Sequence, residues 1–595
     1  MSRCDAGGPA DPPTPAEGNV ARRLSKAAAI TPGAIAIAEP QGRPTAEGPR
    51  GYSLTTFREL DRRSDAIARG LARHGVRPGM RLAMLVPFGT DFITLTFGLL
   101  KAGAVAILVD PGMGRKHLIR CLQDSEPDGF VAISKAQAIR TLLRWRFPRA
   151  RLNVTVGRRW FWGGPTLSQL ETLGREPDDG AASAAGRASD GPVAADGDPP
   201  GDQVRRGDPA AIIFTTGSTG PPKGVLYTHG TFHAQIDRIR DRYGIQPGSR
   251  DLACFPLFGL FDAVMGVTTV IPDMDPTRPA EVNPRRLLEA AAQWEVDQAF
   301  GSPALWDAVV RWCGERPLGR PFPTLKRVLS AGAPVPAETL DRLRRLVHPD
   351  AEISTPYGAT EALPIASIES REVIAETGRA ASKGKGVCVG TRFPDVRWRV
   401  IEIDDGPLPT LEDTRELPRG KIGELMVTGP MVTETYAVRA DQNAFHKVRD
   451  GDRVWHRMGD VGYLDAEDRF WFCGRKGHRV RRGERTWFTI PCESVFRVHP
   501  SVRRAALVGR GQPPEQTPVM IVEPHDGSVS RDALRRDRLI DELRDLASRN
   551  PLTGRIEEIV IWPRPLPVDI RHNSKIFREQ LTAELQAMPS VSRRD

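Results

Sequence analysis

A ten-residue segment near the middle of the chain combines residue types that suit a bound anion. Residues 215–224 read TTGSTGPPKG and follow an apolar run, residues 210–214, that predicts a buried strand. Glycines let backbone amides close on an anion, hydroxyls add hydrogen-bond donors, and Lys223 supplies a positive charge. The segment therefore predicts a phosphate cradle, and a polyphosphate such as ATP is the first ligand to consider.

This cradle differs from the common nucleotide-binding loop, which has the form GxxxxGK[ST]. Pro222 precedes the lysine here and Gly224 follows it, so the last glycine and the magnesium-binding hydroxyl of that motif are replaced. A glycine-rich surface turn is the simpler interpretation of one such segment. Lysine is scarce in this chain, however, with 12 among 84 basic residues, and its presence in the loop favours a specific role.

Four further segments place small or polar residues where a ligand could contact them. In chain order they are residues 330–334 (SAGAP), 357–361 (YGATE), 455–462 (WHRMGDVG) and 573–578 (NSKIFR). Taken singly, each also fits an ordinary turn or a surface lysine. Their order along the chain, after the cradle, is what indicates a shared site.

The elements that must position these segments alternate between strands and helices. Thr56 and Glu59 predict a capping box at the start of a helix. Residues 81–86, 90–101 and 104–109 predict a strand–helix–strand unit, which implies parallel strands. Further strands are predicted at residues 327–329, 351–355, 424–428, 469–473, 505–508, 519–522 and 558–561, and a further helix at residues 531–547.

The predicted fold class is α/β, with a large N-terminal domain of layered, mostly parallel sheets and helices and a small mobile α+β C-terminal domain. Because 595 residues exceed the size of one hydrophobic core, more than one domain is expected. We assign residues 1–20 to a disordered tail, 21–473 to the large domain and 474–595 to the C-terminal cap domain. Residues 174–208, which are rich in Ala, Gly, Asp and Pro, predict a flexible low-complexity insertion.

Composition limits the partners and the compartment. The net charge is +10, and the densest basic stretch is residues 475–485. No zinc-finger spacing accompanies this stretch, so we interpret it as a solvated arginine-rich face and expect no nucleic acid. The 7 scattered cysteines form no CxxC pair, which indicates reduced thiols and a cytoplasmic location. Charged residues and a proline interrupt the most apolar region, residues 82–109, so no transmembrane segment is expected.

Taken together, the motifs resemble those of the adenylate-forming superfamily, which includes acyl-CoA synthetases, luciferases and peptide-synthetase adenylation domains. The matching features, in order, are the cradle, the Gly-Ala-Pro turn, the Tyr-Gly-x-Thr-Glu segment, a Gly-Asp pair at 459–460, a Gly-Arg pair at 474–475 and the terminal lysine. The resemblance extends over about residues 20–585 and includes residues 99–111 (LLKAGAVAILVDP). It implies attack of a substrate carboxylate on the α-phosphorus of ATP, with formation of an acyl-adenylate and release of pyrophosphate.

The resemblance also implies site residues. The ATP- and AMP-binding set comprises Thr215, Thr216, Gly217, Ser218, Thr219, Gly220, Lys223, Gly332, Ala333, Pro334, Tyr357, Gly358, Ala359, Asp460 and Arg475. Within it, Tyr357 would pack on the adenine and Asp460 would accept the ribose hydroxyls. The catalytic set comprises Thr360, a donor to the α-phosphate, Glu361, the Mg²⁺ ligand, and Lys575, which the cap domain brings to the α-phosphate. Gly477 marks the hinge.

Three longer stretches resemble one subgroup more closely, the OleC-like β-lactone synthetases of bacterial olefin biosynthesis. They begin at Phe255 (FPLFGLFDAVMG), Thr355 (TPYGATEALPIA) and Cys473 (CGRKGHRVRRGE). The resemblance implies a long-chain 2-alkyl-3-hydroxy fatty acid as substrate, ATP and Mg²⁺ as cofactors, and no coenzyme A. The β-hydroxyl of the substrate would attack its own acyl carbon and expel AMP. Assembly with other enzymes of the olefin pathway is also expected.

A long alkyl chain requires an apolar pocket. Candidate lining residues are Phe255, Phe258, Phe261, Met265 and Trp306, each of which also fits an ordinary core position. His229 and His478 lie near the motifs, but neither is assigned as the base for lactone closure.

Two other functions stay open at this point. A fatty-acyl-CoA ligase or a fatty-acyl-AMP ligase would share the motifs, although such enzymes usually carry Asp or Lys at the hinge where this chain has Gly477. A catalytically inactive adenylate-binding protein would not need both lysines and both carboxylates of the motifs. A product assay with and without coenzyme A separates the three functions.

Overall fold

The computed structural model describes residues 18–42, 50–175, 200–215, 221–569 and 575–587. Its helices up to residue 346 are α1 (Arg22–Ile30), α2 (Phe57–Arg73), α3 (Thr90–Lys101), α4 (Arg115–Asp124), α5 (Ser134–Leu142), α6 (Leu167–Arg175), α7 (His229–Tyr243), α8 (Pro256–Met265), α9 (Pro284–Gln293), α10 (Pro303–Gly314) and α11 (Ala337–Leu346). The later helices are α12 (Ser370–Glu372), α13 (Gly378–Ala380), α14 (Asn443–His446), α15 (Thr489–Phe496), α16 (Ala533–Ser548) and α17 (Arg578–Ala587).

The strands in the first half of the chain are β1 (Ile35–Pro40), β2 (Tyr52–Thr56), β3 (Arg81–Leu85), β4 (Val105–Leu108), β5 (Gly129–Ile133), β6 (Leu152–Val156), β7 (Pro209–Phe214), β8 (Gly224–Thr228), β9 (Arg250–Ala253), β10 (Thr268–Val270) and β11 (Gln298–Gly301). Those from residue 327 to 475 are β12 (Arg327–Ser330), β13 (Glu352–Ala359), β14 (Ala362–Glu369), β15 (Val387–Arg392), β16 (Arg397–Ile401), β17 (Gly423–Thr428), β18 (Tyr436–Val438), β19 (Lys447–Asp450), β20 (Arg453–Leu464) and β21 (Arg469–Arg475). The last are β22 (Val480–Arg482), β23 (Arg485–Trp487), β24 (Val502–Arg510), β25 (Thr517–Pro524) and β26 (Glu558–Ile561).

One sheet of the large lobe carries the predicted strand–helix–strand unit and the cradle strand. Its order is β18-β8-β7-β4-β3-β5-β6, and the five strands from β7 to β6 in this order run parallel to one another. Helix α3 has the bounds expected from the sequence, and the Thr56–Glu59 capping box at the start of α2 is present. The return strand β8 pairs antiparallel with β7, so the segment between them turns at the carboxyl end of a parallel strand.

The second sheet of the large lobe combines a parallel half with an antiparallel half. Its order is β16-β17-β20-β21-β15-β14-β13-β12-β11-β9-β10-β1-β2, with β19 paired to β20. In sheet order, β1, β10, β9, β11, β12 and β13 pair in parallel. The strands that follow in the sheet, from β13 through β14, β15, β21, β20 and β17 to β16, pair antiparallel. The packing of helices on these sheets confirms the predicted α/β class, but this second sheet is mixed and not mostly parallel, because the strands that follow β13 in it pair antiparallel.

The chain leaves the large sheet at Arg475 and builds a small α+β lobe. Strands β24, β25 and β26 form its sheet, and β22 and β23 form a hairpin beside it. The lobe has its own apolar core, in which Phe496, Leu507 and Leu543 are fully buried. The elements predicted after residue 500 all occur, with β26 at its expected bounds.

Two predicted flexible regions are shorter than the composition indicated. Residues 18–20 do not belong to a tail, because Asn19 is buried and its Nδ2 donates to the carbonyl oxygen of Leu100 at 2.7 Å. Residues 200–208 do not belong to a flexible insertion, because Val204 is buried and Gly201 packs against Lys101. The predicted tail and insertion also include residues 1–17 and 176–199, which lie outside the described residues.

The sequence predicted reduced cysteines and no transmembrane segment, and the described cysteines and helices bear on these two predictions. Cys121, Cys254, Cys313, Cys388, Cys473 and Cys492 are all buried and form no disulfide within the described part of the chain. None of the helices that the structure describes has the length and apolar character needed to cross a membrane.

Candidate active site

The predicted cradle is closed at its neck by backbone geometry. The amide of Thr215 donates to the carbonyl oxygen of Lys223 at 3.0 Å, and the amide of Lys223 donates to Thr215 Oγ1 at 3.2 Å. Five predicted cradle residues lie outside the described part of the chain, namely Thr216, Gly217, Ser218, Thr219 and Gly220. A Cβ on Gly224 would approach Val438 Cβ to 2.8 Å, which explains why this loop has no Ser or Thr after its lysine.

Lys223 extends from the neck into a half-buried polar cluster. Its Nζ lies 2.9 Å from His446 Nε2 and 5.1 Å from the ring centroid of Tyr436. Burial and, to a smaller extent, the neighbouring Lys223 together lower the pKa of His446 to about 3. The neutral imidazole therefore accepts a hydrogen bond from the ammonium at Nε2. Burial also lowers the pKa of Lys223, while the charge of Glu361 acts in the opposite direction.

Glu361 lies in the two-residue turn between β13 and β14, beside Thr360. The side chain is 7% exposed, and Tyr436 Oη donates to its Oε1 at 2.8 Å. The amide and hydroxyl of Thr433 donate to the carbonyl oxygen of Glu361 at 2.9 and 3.0 Å. The turn is thus fixed by the segment that leads into β18, and β18 pairs with β8 after the cradle.

A second buried lysine completes this cluster. Lys447 Nζ donates to the carbonyl oxygen and to Oγ1 of Thr433, and it lies 5.4 Å from the Tyr436 ring centroid. Burial lowers the pKa of Lys447 to about 7, against the raising effect of Glu361. We call Lys223, Glu361, Tyr436, His446 and Lys447 the phosphate-side cluster. Lys223 and the half-protonated Lys447 face a single carboxylate at neutral pH, so the cluster has a small net positive charge that suits a polyphosphate.

Asp460 forms a second cluster with two residues that the sequence also singled out. Tyr357 Oη donates to Asp460 Oδ2 at 2.5 Å, and Arg475 Nη1 donates to Asp460 Oδ1 at 2.6 Å. The register of β20 and β21 pairs Asp460 with Arg475. Burial and the Asp460 carboxylate raise the pKa of Tyr357, so the phenol stays protonated as a donor. We call these three residues the Asp460 cluster.

The small residues of the motifs lie at the carboxyl edge of the parallel half-sheet. Leu329 of β12 pairs with Ser354 of β13, so Gly332 and Tyr357, each three residues further on, emerge at the same edge. Ala333 and Pro334 continue from Gly332 toward α11, and Ala359 ends β13. A Cβ on Gly358 would meet the carbonyl oxygen of Ala362 at 2.6 Å, so the hairpin requires glycine there. Tyr227 Oη donates to the carbonyl oxygen of Thr360 at 2.5 Å.

Helix α8 presents the aromatic residues predicted for the acyl pocket. Phe258 stacks on Phe300 of β11 with 3.7 Å between ring centroids, and Phe255 and Phe261 pack beside Phe258 or Phe300. These three α8-region phenylalanines are only half-buried. Met265, at the helix end, is buried in the same apolar cluster.

Trp306 does not belong to this aromatic group, and its assignment to the acyl pocket is corrected. It is fully buried on α10, where it packs edge-on against Phe322 within a separate hydrophobic core. Size and apolarity alone suggested the pocket, but the helical spacing of α10 directs Trp306 into the core between helices and sheet.

The predicted hinge residue Gly477 lies in a single turn of 3-10 helix, Lys476–His478, directly after β21. Lys476 Nζ donates to Glu424 Oε2 at 3.1 Å, and Arg479 Nη2 donates to Asp405 Oδ2 at 2.6 Å. Residues 475–485 were interpreted as a solvated basic face. This interpretation is wrong for Arg475, Lys476 and Arg479, which pair with carboxylates of the large lobe.

The remaining candidates lie on the small lobe or against the N-terminal segment. Lys575 is exposed and precedes α17, and its carbonyl oxygen accepts from the amide of Asp569 at 3.0 Å. His478 Nε2 lies 3.1 Å from Glu579 Oε1. His229 is fully buried, and its Nδ1 accepts from the amide of Val20, so this residue has a packing role.

Sequence reasoning missed Thr433, Tyr436, His446 and Lys447, which surround Glu361 and Lys223. Only one signal in the sequence pointed to them. Lys447 is one of the 12 lysines, so the scarcity that singled out Lys223 applies to it equally. The other three have common residue types, and their proximity depends on the pairing of β18 with β8.

The two clusters together can bind and activate a nucleoside triphosphate. The half-buried Lys223, near the end of the glycine-rich segment, and the buried Lys447 suit phosphate oxygens, and the single carboxylate of Glu361 suits a hydrated divalent cation. A buried carboxylate, Asp460, suits a pair of vicinal hydroxyls. The half-buried aromatic face of α8 suits an apolar chain.

The chain belongs to the AMP-binding enzyme family, whose model matches residues 24–437. Among its relatives, an olefin beta-lactone synthetase from Xanthomonas campestris pv. campestris is 44% identical over 569 residues, covering 95% of this chain and 96% of that protein. An olefin beta-lactone synthetase from Stenotrophomonas maltophilia is 44% identical over 582 residues, covering 96% and 99%. The family predicted from the motifs is thereby confirmed.

Solved structures share the fold. An amide bond synthetase from Marinactinospora thermotolerans aligns with a TM-score of 0.70 at 21% identity, covering 95% of this chain and 99% of that chain. An o-succinylbenzoate coenzyme A synthetase from Bacillus subtilis, solved with ATP and a magnesium ion, aligns with a TM-score of 0.68 at 19% identity, covering 94% and 98%. At these identities the likeness concerns the fold alone.

Proposed function

We propose that this protein is an ATP-dependent β-lactone synthetase. It activates a long-chain 2-alkyl-3-hydroxy fatty acid as an acyl-adenylate and closes the acyl group to a β-lactone, with release of pyrophosphate and AMP. The observation that carries the proposal is the 44% identity to two olefin beta-lactone synthetases over 95% and 96% of the chain. The two clusters support the adenylation step.

In the first step the substrate carboxylate attacks the α-phosphorus of ATP, and pyrophosphate leaves. Lys223 and the cradle would bind the β- and γ-phosphates, Asp460 would accept the ribose hydroxyls, and Thr360 would donate to the α-phosphate. Gly332, Ala333 and Pro334 would line the adenine, with Tyr357 against its face. Lys575 would enter from the small lobe, through rotation near Gly477, and neutralise charge that develops at the α-phosphate.

The chemistry of Glu361 fits a magnesium ligand. Its described hydrogen bond engages Oε1 only, and a carboxylate that offers one oxygen suits Mg²⁺ that is also bound by phosphates. The ion would neutralise phosphate charge. The protein's own contribution is to hold the carboxylate of Glu361 through Tyr436 and its backbone carbonyl through Thr433.

In the second step the substrate β-hydroxyl attacks the acyl carbon, loses its proton and expels AMP as the four-membered ring closes. The nucleophile belongs to the same molecule as the acyl group, so a high effective molarity offsets the ring strain and no coenzyme A is needed. Phe255, Phe258, Phe261 and Met265 would contact the alkyl chains. We further propose a cytoplasmic location and association with other enzymes of olefin biosynthesis.

The test is incubation of the purified protein with ATP, Mg²⁺ and a 2-alkyl-3-hydroxy acid, with and without coenzyme A. We expect pyrophosphate release and a four-membered lactone in the proton NMR spectrum, independent of coenzyme A. The matched control substrate is the 2-alkyl acid without the 3-hydroxyl group, which should form an adenylate and no lactone.

Other products would favour the other functions. A thioester formed only with coenzyme A would identify an acyl-CoA ligase, and an acyl-adenylate that accumulates from the hydroxy acid would identify a fatty-acyl-AMP ligase. If no acid causes pyrophosphate release, the protein is an inactive adenylate-binding protein and the proposal is wrong.

A further inference from the structure

A strip of exposed aromatic and aliphatic side chains lies on the large lobe, on the β6 side of the sheet and away from the β8 edge that bears the cradle. Among the described residues, five of the exposed large hydrophobic side chains fall between residues 139 and 161: Ile139, Leu142, Trp145, Trp160 and Phe161. Leu142, Phe161 and Trp145 are 73%, 70% and 67% exposed. Such a concentration on a folded surface marks an interaction site.

The same strip is basic. Residues 129–170 contain no Asp or Glu, although the chain carries 74 acidic residues in 595 and a stretch of this length would carry about five. They contain eight basic residues: Lys135, Arg140, Arg144, Arg146, Arg149, Arg151, Arg158 and Arg159. Within the described part of the chain, only Arg149 of these forms an ion pair, with Glu126 and Asp128. The other cations have no neutralising partner in that part of the chain.

The elements connect these residues into one surface. Lys135, Ile139 and Leu142 occupy the exposed face of α5, and Trp145 follows in the next turn. Ser134 Oγ, at the start of α5, donates to the carbonyl oxygen of Arg158 at 2.5 Å, which brings the loop with Trp160 and Phe161 beside the helix. We call this surface the α5 patch.

A basic groove borders the α5 patch. It lies between α4 and the turn Arg144–Arg146 and has a volume of about 470 Å³. Lys116, Arg120 and Arg146 line it, together with Gln123 and a single acidic residue, Asp124. Arg146 Nη1 donates to Gln123 Oε1 at 3.2 Å, so the groove and the patch are continuous.

We propose that the α5 patch and its groove bind the surface of an anionic phospholipid bilayer. Tryptophan and phenylalanine beside unpaired arginines suit the boundary between acyl chains and charged headgroups. The groove suits phosphate headgroups because its cations outnumber its one carboxylate. A second copy of this chain does not fit the patch, since a symmetric contact would place arginine against arginine. This inference is independent of the proposed catalytic activity.

The test is co-sedimentation of the full chain with vesicles of phosphatidylglycerol and phosphatidylcholine, compared with phosphatidylcholine alone. The protein should bind the anionic vesicles and dissociate as salt is raised. The double variant Trp160→Ser/Phe161→Ser should bind at least tenfold more weakly, because both rings are exposed and insert only on binding. Arg144→Gln/Arg158→Gln should bind about 25-fold more weakly, at about fivefold per cation near the surface.

The matched control is Arg342→Gln/Arg345→Gln on α11, which removes the same charge from exposed arginines outside the patch. It should bind as the unaltered protein does, and thermal melting should show that all variants are folded. Failure of the unaltered protein to bind anionic vesicles at low salt would overturn the proposal. If the patch and control variants lost vesicle binding equally, binding would depend on net charge alone and the α5 patch would not be the binding surface. A change in oligomeric mass without a change in vesicle binding would identify a protein interface instead.

Discussion

Tyr436 contacts three charged groups of the phosphate-side cluster. The Nζ atoms of Lys223 and Lys447 lie over its ring, 5.1 and 5.4 Å from the centroid, and its hydroxyl donates to Glu361. The electron-rich faces of the ring attract both cations and so offset part of their mutual repulsion. The hydroxyl fixes the carboxylate that we propose as the magnesium ligand. One side chain thereby holds the cations and the anion of the cluster in a set arrangement.

Replacing Tyr436 with Phe should weaken the magnesium dependence of the enzyme and leave the ring contacts in place. Loss of the hydroxyl leaves Glu361 Oε1 without its donor, and removal of a hydrogen bond to a metal-binding carboxylate typically costs 10- to 100-fold in metal affinity or activity. We expect the Mg²⁺ concentration for half-maximal pyrophosphate release to rise about tenfold at saturating ATP. Titration of Mg²⁺ in that assay measures it.

The matched control is Tyr243→Phe, which removes another buried hydroxyl that donates to Ser367 Oγ at 3.0 Å. Each variant should lose about 1 kcal/mol of stability with its hydrogen bond. Only Tyr436→Phe should change the Mg²⁺ titration. Equal Mg²⁺ curves for both variants would mean that Tyr436 has a packing role and does not position Glu361.

At the scale of elements, β9 and α8 are joined by a buried pair of carboxyl groups. Asp251 on β9 and Asp262 on α8 are 2% and 0% exposed, and Asp251 Oδ2 and Asp262 Oδ1 have no hydrogen-bond partner among the described residues. Burial raises the pKa of Asp251 to about 7, and burial together with Asp251 raises the pKa of Asp262 above its ordinary value. The pair therefore retains a proton at neutral pH, next to the helix that carries Phe258 and Phe261.

Because of this pair, we expect the free energy of unfolding to fall as the pH rises. Because the folded-state pKa of Asp251 is raised, its contribution is fully present below the unfolded value of about 4 and is lost as the pH passes through 7. Asp262→Asn replaces the retained proton with amide hydrogens that do not titrate. We expect it to raise the unfolding free energy at pH 8 by about 1–3 kcal/mol and to flatten the decline between about pH 4 and pH 7. Urea unfolding at several pH values measures both.

Asp307→Asn on α10 is the control, since that carboxylate is partly exposed and pairs with Arg311. It should leave the pH slope unchanged. A slope for Asp262→Asn equal to that of the unaltered protein would show that the pair does not control stability in this pH range.

The elements also show which features the sequence could predict. Helix α2 was predicted from its capping box, and the unit β3–α3–β4 from apolar runs, because both signals lie within a short window of sequence. The residues around Glu361 were not, because Tyr436 reaches it only through the pairing of β18 with β8, whose residues are about 200 positions apart. Trp306 was misassigned for the same reason: its apolar character was visible, but which of two cores receives it depends on the packing of α10.

At the scale of the whole molecule, the lobes are tied by ion pairs that permit a rotation. Glu424 is fully buried and pairs with both Arg457 and Lys476. If Lys476 moves away with the small lobe, Arg457 still neutralises Glu424, so no buried carboxylate is left unpaired. Asp405, which pairs with Arg479, is exposed enough for water to replace its partner. These ion pairs therefore do not oppose the rotation that we propose at Gly477.

Such a rotation gives the last prediction, which concerns Lys575. This residue is exposed on the small lobe before α17, so its replacement by Ala should change the melting temperature by no more than a degree or two. If the small lobe brings its ammonium group to the α-phosphate, Lys575→Ala should reduce kcat for pyrophosphate release by about 100-fold or more, because charge developing there loses its counter-ion. Lys421→Ala, at another exposed lysine, should retain full activity. Full activity in Lys575→Ala would mean that adenylation is completed by the large lobe alone, and that Lys223 and Lys447 supply the positive charge.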